Sequence, residues 1–258
     1  MSNSNALIGH TGFVGGNLLA QQPFGATFNS SNIASIRGRS FDHVICAGVS
    51  AVKWWANKNA EEDRRRIEAL IADLDTISAA RFTLISTIDV YATPIDVRES
   101  DAPVLEGLHA YGLNRAMLER HIAARFPVHH IVRLPGLFGD GLKKNAIFDM
   151  MHGNMLDVIN PASAFQWYPL DRLSADIETT ARAGLALLNV ATEPVTTGAI
   201  RDRFFPGVEI GANASGTARY DMRSEHAALF NGHDGNLMDA EAVLTSLGGF
   251  IARARPRG

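Results

Sequence analysis

The chain contains a single cysteine among its 258 residues, so no disulfide can form within it. Cys46 lies in the apolar run HVICAGV, which is typical of a buried strand residue and not of a nucleophile. Disulfides are rare in the reducing cytoplasm, and the composition therefore favours a cytoplasmic protein. No run approaches the roughly 20 apolar residues that a membrane-spanning helix needs, so we expect no membrane partner.

The chain also has little excess of charge of either sign. Charged residues make up 20% of it and apolar residues 46%, as in ordinary globular proteins. The net charge of −3 gives no support for nucleic acid or an anionic membrane surface as a partner. The length fits one large α/β domain with a small additional lobe.

Short apolar runs alternate with helical segments through the first part of the chain. The apolar runs predict strands at residues 6–9, 26–28, 43–49, 82–87 and 129–139, the last interrupted by Pro135–Gly136. The segments between them predict helices at 15–21, 60–77 and 109–126. Strands that alternate with helices predict a parallel sheet covered on both faces.

The alternation weakens in the C-terminal part of the chain. Helices are predicted there at 145–154, 175–189 and 236–254, and short strands at 196–202 and 207–212. We predict a Rossmann-type α/β fold, a doubly wound parallel sheet with a small C-terminal α+β substrate lobe. The expected division is a dinucleotide-binding domain at 1–160 and a smaller lobe at 161–258, interleaved with the Rossmann core because no low-complexity linker separates them.

Three glycines with the spacing G-x-x-G-x-x-G follow the first predicted strand, in IGHTGFVGG. Glycine allows a tight turn and close approach of the backbone to a pyrophosphate, and the N-terminus of the following helix offers N–H groups. The context of strand, turn and helix favours a dinucleotide site over a glycine-rich turn without a ligand. The residues expected to contact the cofactor here are Gly9, His10, Thr11, Gly12, Phe13, Val14 and Gly15.

No carboxylate follows the second predicted strand. An acid in that position accepts hydrogen bonds from the ribose of NAD, whereas this chain has Asn29, Ser30 and Ser31 there. Without the acid a 2′-phosphate meets no repulsion, and Arg37 or Arg39 could bind it. The alternative is that both arginines belong to an exposed turn. NADP is therefore only slightly favoured over NAD.

Taken together, four stretches resemble the extended short-chain dehydrogenase/reductase superfamily, the NAD-dependent epimerase/dehydratases. GHTGFVGGNL is similar to its cofactor turn, and VICAGVSAV to the strand and loop beside the cofactor's adenosine. ISTIDVYA is similar to its Ser/Thr-x-x-x-Tyr strand end, and AYGLNR with RLPGLFGDG to its catalytic helix and the next strand. The resemblance covers residues 5–140 well, and FQWYPLDRLSADI (165–177) resembles the family's return strand and helix.

The resemblance implies roles for individual residues. Thr87 matches the hydroxyl that orients the reacting oxygen of the substrate, and Tyr111 matches the catalytic tyrosine. Asp89 takes the position of a separate proton-transfer group in sugar-nucleotide dehydratases and epimerase-reductases; the alternative is that it caps a strand-to-loop turn. Further cofactor contacts are implied at Ala47, Gly48, Pro135 and Gly136.

The family's lysine, four residues after the tyrosine, is replaced here by Arg115. In the family that lysine lowers the pKa of the tyrosine and binds the nicotinamide ribose. Arginine keeps the positive charge on the same helix face, so we expect the electrostatic contribution to remain, while the ribose contact is open. We expect Tyr111 to be catalytic, the alternative being a binding or degenerate site. His109 is expected to point to a different helix face from Tyr111.

Three residues of the C-terminal part are candidate substrate contacts. Asn145 could hydrogen-bond a substrate, Trp167 could stack on a sugar or base, although core packing is the commoner use of tryptophan, and Arg223 could meet a diphosphate. The predicted function is that of an NAD(P)-dependent oxidoreductase or epimerase/dehydratase acting on a nucleotide-linked or related sugar. The alternatives are a plain ketone reductase and a non-catalytic NAD(P)-binding sensor or scaffold. We expect a homodimer by family analogy, and no metal.

Overall fold

The computed structural model describes residues 4–254, so residues 1–3 and 255–258 of the two predicted domains lie outside it. Its strands are β1 (Asn5–Ile8), β2 (Ala26–Phe28), β3 (Ser40–Cys46), β4 (Ser78–Thr87), β5 (His129–Leu134), β6 (Gly136–Phe138), β7 (Ala164–Phe165), β8 (Trp167–Pro169), β9 (Leu187–Asn189) and β10 (Val195–Thr196). Its α-helices are α1 (Phe13–Gln21), α2 (Lys53–Lys58), α3 (Ala60–Leu74), α4 (Ala110–Arg125), α5 (Ala146–His152), α6 (Leu173–Arg182), α7 (Thr197–Phe204) and α8 (Ala240–Ala254). Within 4–254 no helix combines the length and apolar character needed to cross a membrane.

The central sheet has six strands in the order β2-β1-β3-β4-β5-β9. β1 runs parallel to both β2 and β3, and β4 runs parallel to both β3 and β5. The chain moves from β1 outward to β2 and then returns to the other side of β1 as β3. Open α/β sheets bind ligands outside the carboxyl ends of the strands at such a reversal. The predicted Rossmann-type fold is confirmed.

One face of the sheet forms a core with α3 and α4. Val44 and Phe82 of the sheet are fully buried there, against Ile67 of α3 and Leu118 of α4. Cys46 belongs to the same core, and burial raises the pKa of its thiol to about 11. A thiol with that pKa stays protonated at neutral pH, so the prediction of a buried strand residue is confirmed.

The chain divides into two compact units. The first comprises Met1–Ala92, Ser100–Leu134 and Arg172–Leu188, and the second Thr93–Glu99, Pro135–Asp171 and Asn189–Gly258. These limits differ from the predicted division at residue 160. Residues 135–160 cluster with the second unit, whereas α6 packs on α1 and therefore belongs to the first.

The second unit has its own apolar core and two small sheets. Strands β7 and β10 pair antiparallel, and β6 and β8 pair parallel. Phe138, Trp167 and Phe250 are central members of the core, to which α5, α7 and α8 contribute. This part of the chain is the α+β portion that the sequence predicts after the Rossmann core.

Two predicted strands of the C-terminal part are wrong, and one predicted helix is too long. The predicted strand 196–202 is mainly the helix α7, because the Thr196 side chain caps the Ala199 N–H at 3.1 Å. The predicted strand 207–212 has no regular structure, and Gly211 within it has φ +90°. The predicted helix 175–189 ends at Arg182, and after Gly184, with φ +67°, the chain continues into β9.

Candidate active site

The glycine turn joins the end of β1 to the start of α1. Gly9 has φ +87°, and a Cβ there would lie 2.3 Å from the Ala47 carbonyl oxygen. A Cβ on Gly15 would lie 2.1 Å from the Gly9 carbonyl oxygen. Such distances cannot accommodate a side chain, so the turn needs glycine at both positions simply to close.

Gly12 has a different role in the turn. It is the N-cap of α1, and a Cβ there would lie 3.3 Å from the Gly9 carbonyl oxygen, a tight but not impossible contact. The first N–H groups of a helix have no intrahelical partner, and they carry the positive end of the helix dipole. Because a Cβ at Gly12 is tight but not impossible, replacement there tests ligand binding more than turn closure.

Ala47, Gly48 and His10 tie the turn to the neighbouring strands. The Ala47 N–H donates to the Ile8 carbonyl oxygen at 2.9 Å, and a Cβ on Gly48 would lie 2.8 Å from Ile8 Cγ2. His10 Nδ1 lies 3.0 Å from the Phe28 carbonyl oxygen at the end of β2. The ends of β1, β2 and β3 thus form one close-packed edge around the turn.

The two arginines near the end of β2 are engaged differently. Arg37 Nε donates to Asp73 Oδ1 at 2.6 Å. Arg39 Cζ lies 5.3 Å from the ring centroid of Phe28, the residue directly before Asn29. The Arg39 guanidinium is therefore close to the end of β2. The Asn29 side-chain oxygen accepts from the Ser31 N–H at 2.9 Å and from its hydroxyl at 2.6 Å. Arg39, and not Arg37, is therefore the better candidate for a 2′-phosphate contact.

Thr87, Asp89 and Tyr111 come together in the first unit. Thr87 ends β4, and its Oγ1 accepts the Asp89 N–H at 3.2 Å and is hydrogen-bonded to the Tyr111 side chain. A Cβ on Gly112 would lie 2.1 Å from the Asp89 carbonyl oxygen, so the first turn of α4 packs directly on the turn after β4. This close packing holds the Tyr111 hydroxyl against Thr87.

Asp89 lies in the short helical turn that follows β4. The cap is Thr87, while Asp89 Oδ1 is 2.7 Å from Lys53 Nζ in an ion pair. Lys53 is the first residue of α2, and Asn57 of the same helix accepts the Tyr111 N–H at 2.9 Å. Sequence reasoning missed Lys53, for which the only signal is a lysine in the loop that follows β3.

His109 lies outside the helix that it was expected to share with Tyr111. It is the N-cap of α4 with an extended backbone (φ −61°, ψ 151°), and its Nδ1 accepts the Gly112 N–H at 3.0 Å. Its ring centroid is 6.3 Å from that of Tyr111. The argument from helical faces therefore does not apply to His109, because the helix begins one residue later. Burial, followed by the charge of Lys53, lowers the pKa of His109.

Arg115 is enclosed by hydrogen-bond acceptors. Its Nη1 donates to Asp63 Oδ2 at 2.6 Å and to the Tyr111 carbonyl oxygen at 3.0 Å. Its Nη2 donates to Asp63 Oδ1 at 3.0 Å and to the Ser50 carbonyl oxygen at 2.6 Å. The residue is 4% exposed, and Cζ lies 3.8 Å from the Tyr111 ring centroid. Arg115 therefore stacks on the tyrosine while a buried carboxylate balances its charge.

Asp63 is a second residue that sequence reasoning missed. It is 3% exposed and accepts an additional hydrogen bond from Asn114 Nδ2 at 2.8 Å. It is one of three acids in the first turn of α3, with Glu61 and Glu62. A signal was present, since Asp63 stands four residues before Ile67, on the apolar face of that helix.

The net effect of these surroundings is to raise the pKa of Tyr111. Burial is the largest cause, and the Asp89 carboxylate acts in the same direction. Arg115 opposes it most, followed by the hydrogen bond from Thr87 and the charge of Lys53. Arg115 does lower the tyrosine pKa, as expected, but burial outweighs it. The phenol therefore keeps its proton at neutral pH, as a proton donor must.

Similarity to known proteins lies in the fold. No family model matches the chain, and no curated sequence matches it. A dTDP-4-dehydrorhamnose reductase from Bacillus anthracis, in complex with NADP, is 12% identical with a TM-score of 0.72 over 98% of this chain and 100% of that one. MoeE5, in complex with UDP-glucose and NAD, is 14% identical with a TM-score of 0.73 over 98% and 99%. A UDP-glucose 4-epimerase from Thermotoga maritima, with UDP-glucose, is 12% identical with a TM-score of 0.68 over 96% and 99%.

The chain shares its fold with these three solved structures. The glycine turn lies at the switch point of the sheet, beside the carboxyl ends of β1 and β3. Arg115 departs from the lysine of the superfamily. All four N–H bonds of its terminal nitrogens point at protein acceptors, so these nitrogens have no donor left for a ribose.

The remaining predicted site residues, two implied by the resemblance and three candidate substrate contacts, lie in the second unit. The Gly136 N–H, next to Pro135, donates to the Gln166 carbonyl oxygen at 3.0 Å. Asn145 caps α5 by accepting the Phe148 N–H at 3.0 Å. Trp167 is 4% exposed and packs in the core, so it is not an open stacking surface. Arg223 Nη2 lies 2.8 Å from Asp221 Oδ1.

Proposed function

We propose that this protein is an NAD(P)-dependent oxidoreductase or epimerase/dehydratase that acts on a nucleotide-linked or related sugar. The observation that carries the proposal is the grouping of Thr87, Asp89 and Tyr111, which the packing of α4 on the turn after β4 brings together in the same compact unit as the glycine turn. Solved structures with this fold include a nucleotide-sugar reductase and an epimerase, and complexes with NAD and with NADP. These names support both the cofactor class and the substrate class.

The proposed cofactor lies with its diphosphate on the glycine turn. The N–H groups that open α1 would donate to phosphate oxygens, and the helix dipole would favour their negative charge. Asn29, Ser30 and Ser31 are proposed beside the adenosine ribose. NADP is proposed in preference to NAD, because Arg39 is exposed next to these residues and no carboxylate is among them.

The proposed chemistry assigns one task to each side chain around Tyr111. The bound nicotinamide would supply or accept a hydride at the substrate carbon. In the reducing direction Tyr111 donates its phenolic proton to the substrate oxygen, which Thr87 holds by a hydrogen bond. Arg115 stabilises the resulting phenolate from 3.8 Å away, measured from Cζ to the ring centroid. Asp89 takes or returns a proton at a neighbouring carbon when the reaction requires one.

Four residues of the second unit are proposed as individual ligand contacts. Arg223 offers a guanidinium to a diphosphate, Asn145 offers an amide, and Pro135 and Gly136 are proposed beside the nicotinamide. We further propose that the protein acts in the cytoplasm as a homodimer, paired through α3 and α4 by analogy with the superfamily.

Replacement of Asp89 by asparagine distinguishes the proposed reaction classes. Each of a set of nucleotide sugars and simple ketones is incubated with the protein and NADPH or NADH, and turnover is followed by absorbance and product analysis. An epimerase or dehydratase should lose about 10²- to 10⁴-fold in turnover with Asp89→Asn, because a proton-transfer group is removed. Glu61→Gln, which neutralises an exposed acid at the start of α3, should leave turnover unchanged.

The other outcomes identify the alternatives. Full activity of Asp89→Asn on a simple ketone would indicate a plain ketone reductase. Cofactor binding without turnover of any substrate class would indicate a non-catalytic NAD(P)-binding protein, and it would contradict the proposed enzyme.

A further inference from the structure

Arg115 can perform only one of the two tasks that the superfamily's lysine performs. Its charge remains next to the Tyr111 ring, but Asp63 and two backbone carbonyl groups surround its terminal nitrogens. A buried arginine held by a bidentate carboxylate is fixed in position. It cannot move toward a ligand or follow a change of charge in the site.

Lys53, unlike the buried Arg115, is a partly exposed cation. Its side chain is 38% exposed, and it reaches the same group of residues from a separate helix, α2. Lysine is a flexible chain that ends in three N–H donors, so it can bind a carboxylate and still adjust its position. Its ion pair with Asp89 measures 2.7 Å between Nζ and Oδ1.

The helix that carries Lys53, α2, is hydrogen-bonded directly to the helix that carries Tyr111, α4. Asn57, one helical turn after Lys53, accepts the Tyr111 N–H at 2.9 Å. On the other side, Gly112 packs against the Asp89 carbonyl oxygen. The backbones that carry the ion pair and the phenol are therefore directly connected within the first unit.

We propose that Lys53 is a positioning residue of this active site, which holds the Asp89 carboxylate beside Thr87 and supplies the accessible positive charge that Arg115 does not. The two tasks of a single lysine are thus divided between two cations from different helices. This inference rests on the proposed function, since it concerns the protonation of Tyr111 during that reaction.

The charged groups that act on Tyr111 come from three directions. Arg115 of α4, itself paired with Asp63 of α3, and Lys53 of α2 favour the phenolate, whereas Asp89 disfavours it. His109 is the neighbouring titratable ring. Replacing Lys53 by a neutral residue removes one favourable charge and leaves Asp89 unbalanced. Both effects raise the pKa of Tyr111.

The test is a ¹⁹F NMR titration of ligand-free protein labelled with 3-fluorotyrosine. Fluorination lowers the phenol pKa and so brings the titration to milder pH, and Tyr111→Phe assigns one resonance among the four tyrosines. Lys53→Met should raise the apparent pKa of Tyr111 by about one unit, and Lys53→Arg should restore it. Lys58→Met, at the other end of α2, should have no effect.

Asp89→Asn provides an independent variant and should lower the same pKa. Equal titrations for Lys53→Met and Lys58→Met, or no change with Asp89→Asn, would overturn the inference. Because neither cofactor nor substrate is present, this result is separate from cofactor binding. Normal NADPH binding with an unchanged titration refutes the role of Lys53 alone, while absent binding refutes the proposed function.

Discussion

Replacement of Tyr111 by phenylalanine should lower turnover by about 10²- to 10⁴-fold, the usual contribution of a positioned proton donor, while the cofactor binds as before. The change removes only the hydroxyl that bonds to Thr87. The ring that stacks under Arg115 remains, so the packing of α4 should be preserved. Steady-state kinetics with the best substrate from the screen, together with NADPH titration, measures both parts of this expectation.

Tyr91→Phe is the matched control for that experiment. Its hydroxyl is also buried in the first unit, but it bonds to Arg133 Nη1 at 2.7 Å. Its loss should affect stability and leave turnover close to that of the parent. If Tyr111→Phe kept full turnover, the proton would have to come from another group, and His109 would be the first to examine.

Replacement of Asp63 by asparagine should lower the free energy of unfolding by about 3–5 kcal/mol, because it leaves the buried Arg115 charge without its partner. Asparagine keeps the size of the side chain, so the loss reports charge and hydrogen bonding, not a cavity. Urea unfolding followed by circular dichroism provides the measurement.

The control for this second prediction lies on the same helix. Glu68→Gln neutralises an acid in an exposed ion pair with Arg64, whose side chains are 49% and 56% exposed. Exposed pairs contribute little, so this variant should unfold almost as the parent does. If both variants lost a similar amount of unfolding free energy, the Arg115–Asp63 pair would contribute no more to stability than an exposed ion pair does. A partial recovery of stability in Asp63→Asn combined with Arg115→Met would strengthen the account.

Periodicity was sufficient to predict most of the first unit. Its strands are apolar runs and its helices have apolar stripes, so local composition indicated the elements up to β5. The C-terminal part was harder because its strands are only two or three residues long. In segment 196–202 a threonine cap, and not the β-branched composition, determined the structure, and a helix formed where a strand was predicted.

The candidate site shows a similar limit. Thr87 and Tyr111 could be selected because the motif of a superfamily marks them. Asp63 and Lys53 could not, because each reaches its partner across the fold. Asp63 is 52 residues from Arg115 in sequence, and Lys53 is 36 residues from Asp89. Whether a charged side chain is paired depends on such distant partners. The sequence therefore predicted an arginine beside the tyrosine, but not that Asp63 and backbone carbonyl groups surround it.

The claim that this chain binds a nicotinamide dinucleotide at its glycine turn is tested most directly by fluorescence titration with NADPH and NADH. The parent protein should bind at least one with micromolar affinity, with NADPH preferred. Gly12→Val should abolish binding, because the side chain would cover the N–H groups that open α1. Gly16→Ala should retain it, since a Cβ there meets its nearest neighbour at 3.7 Å. Failure of the folded parent to bind either nucleotide would contradict the account.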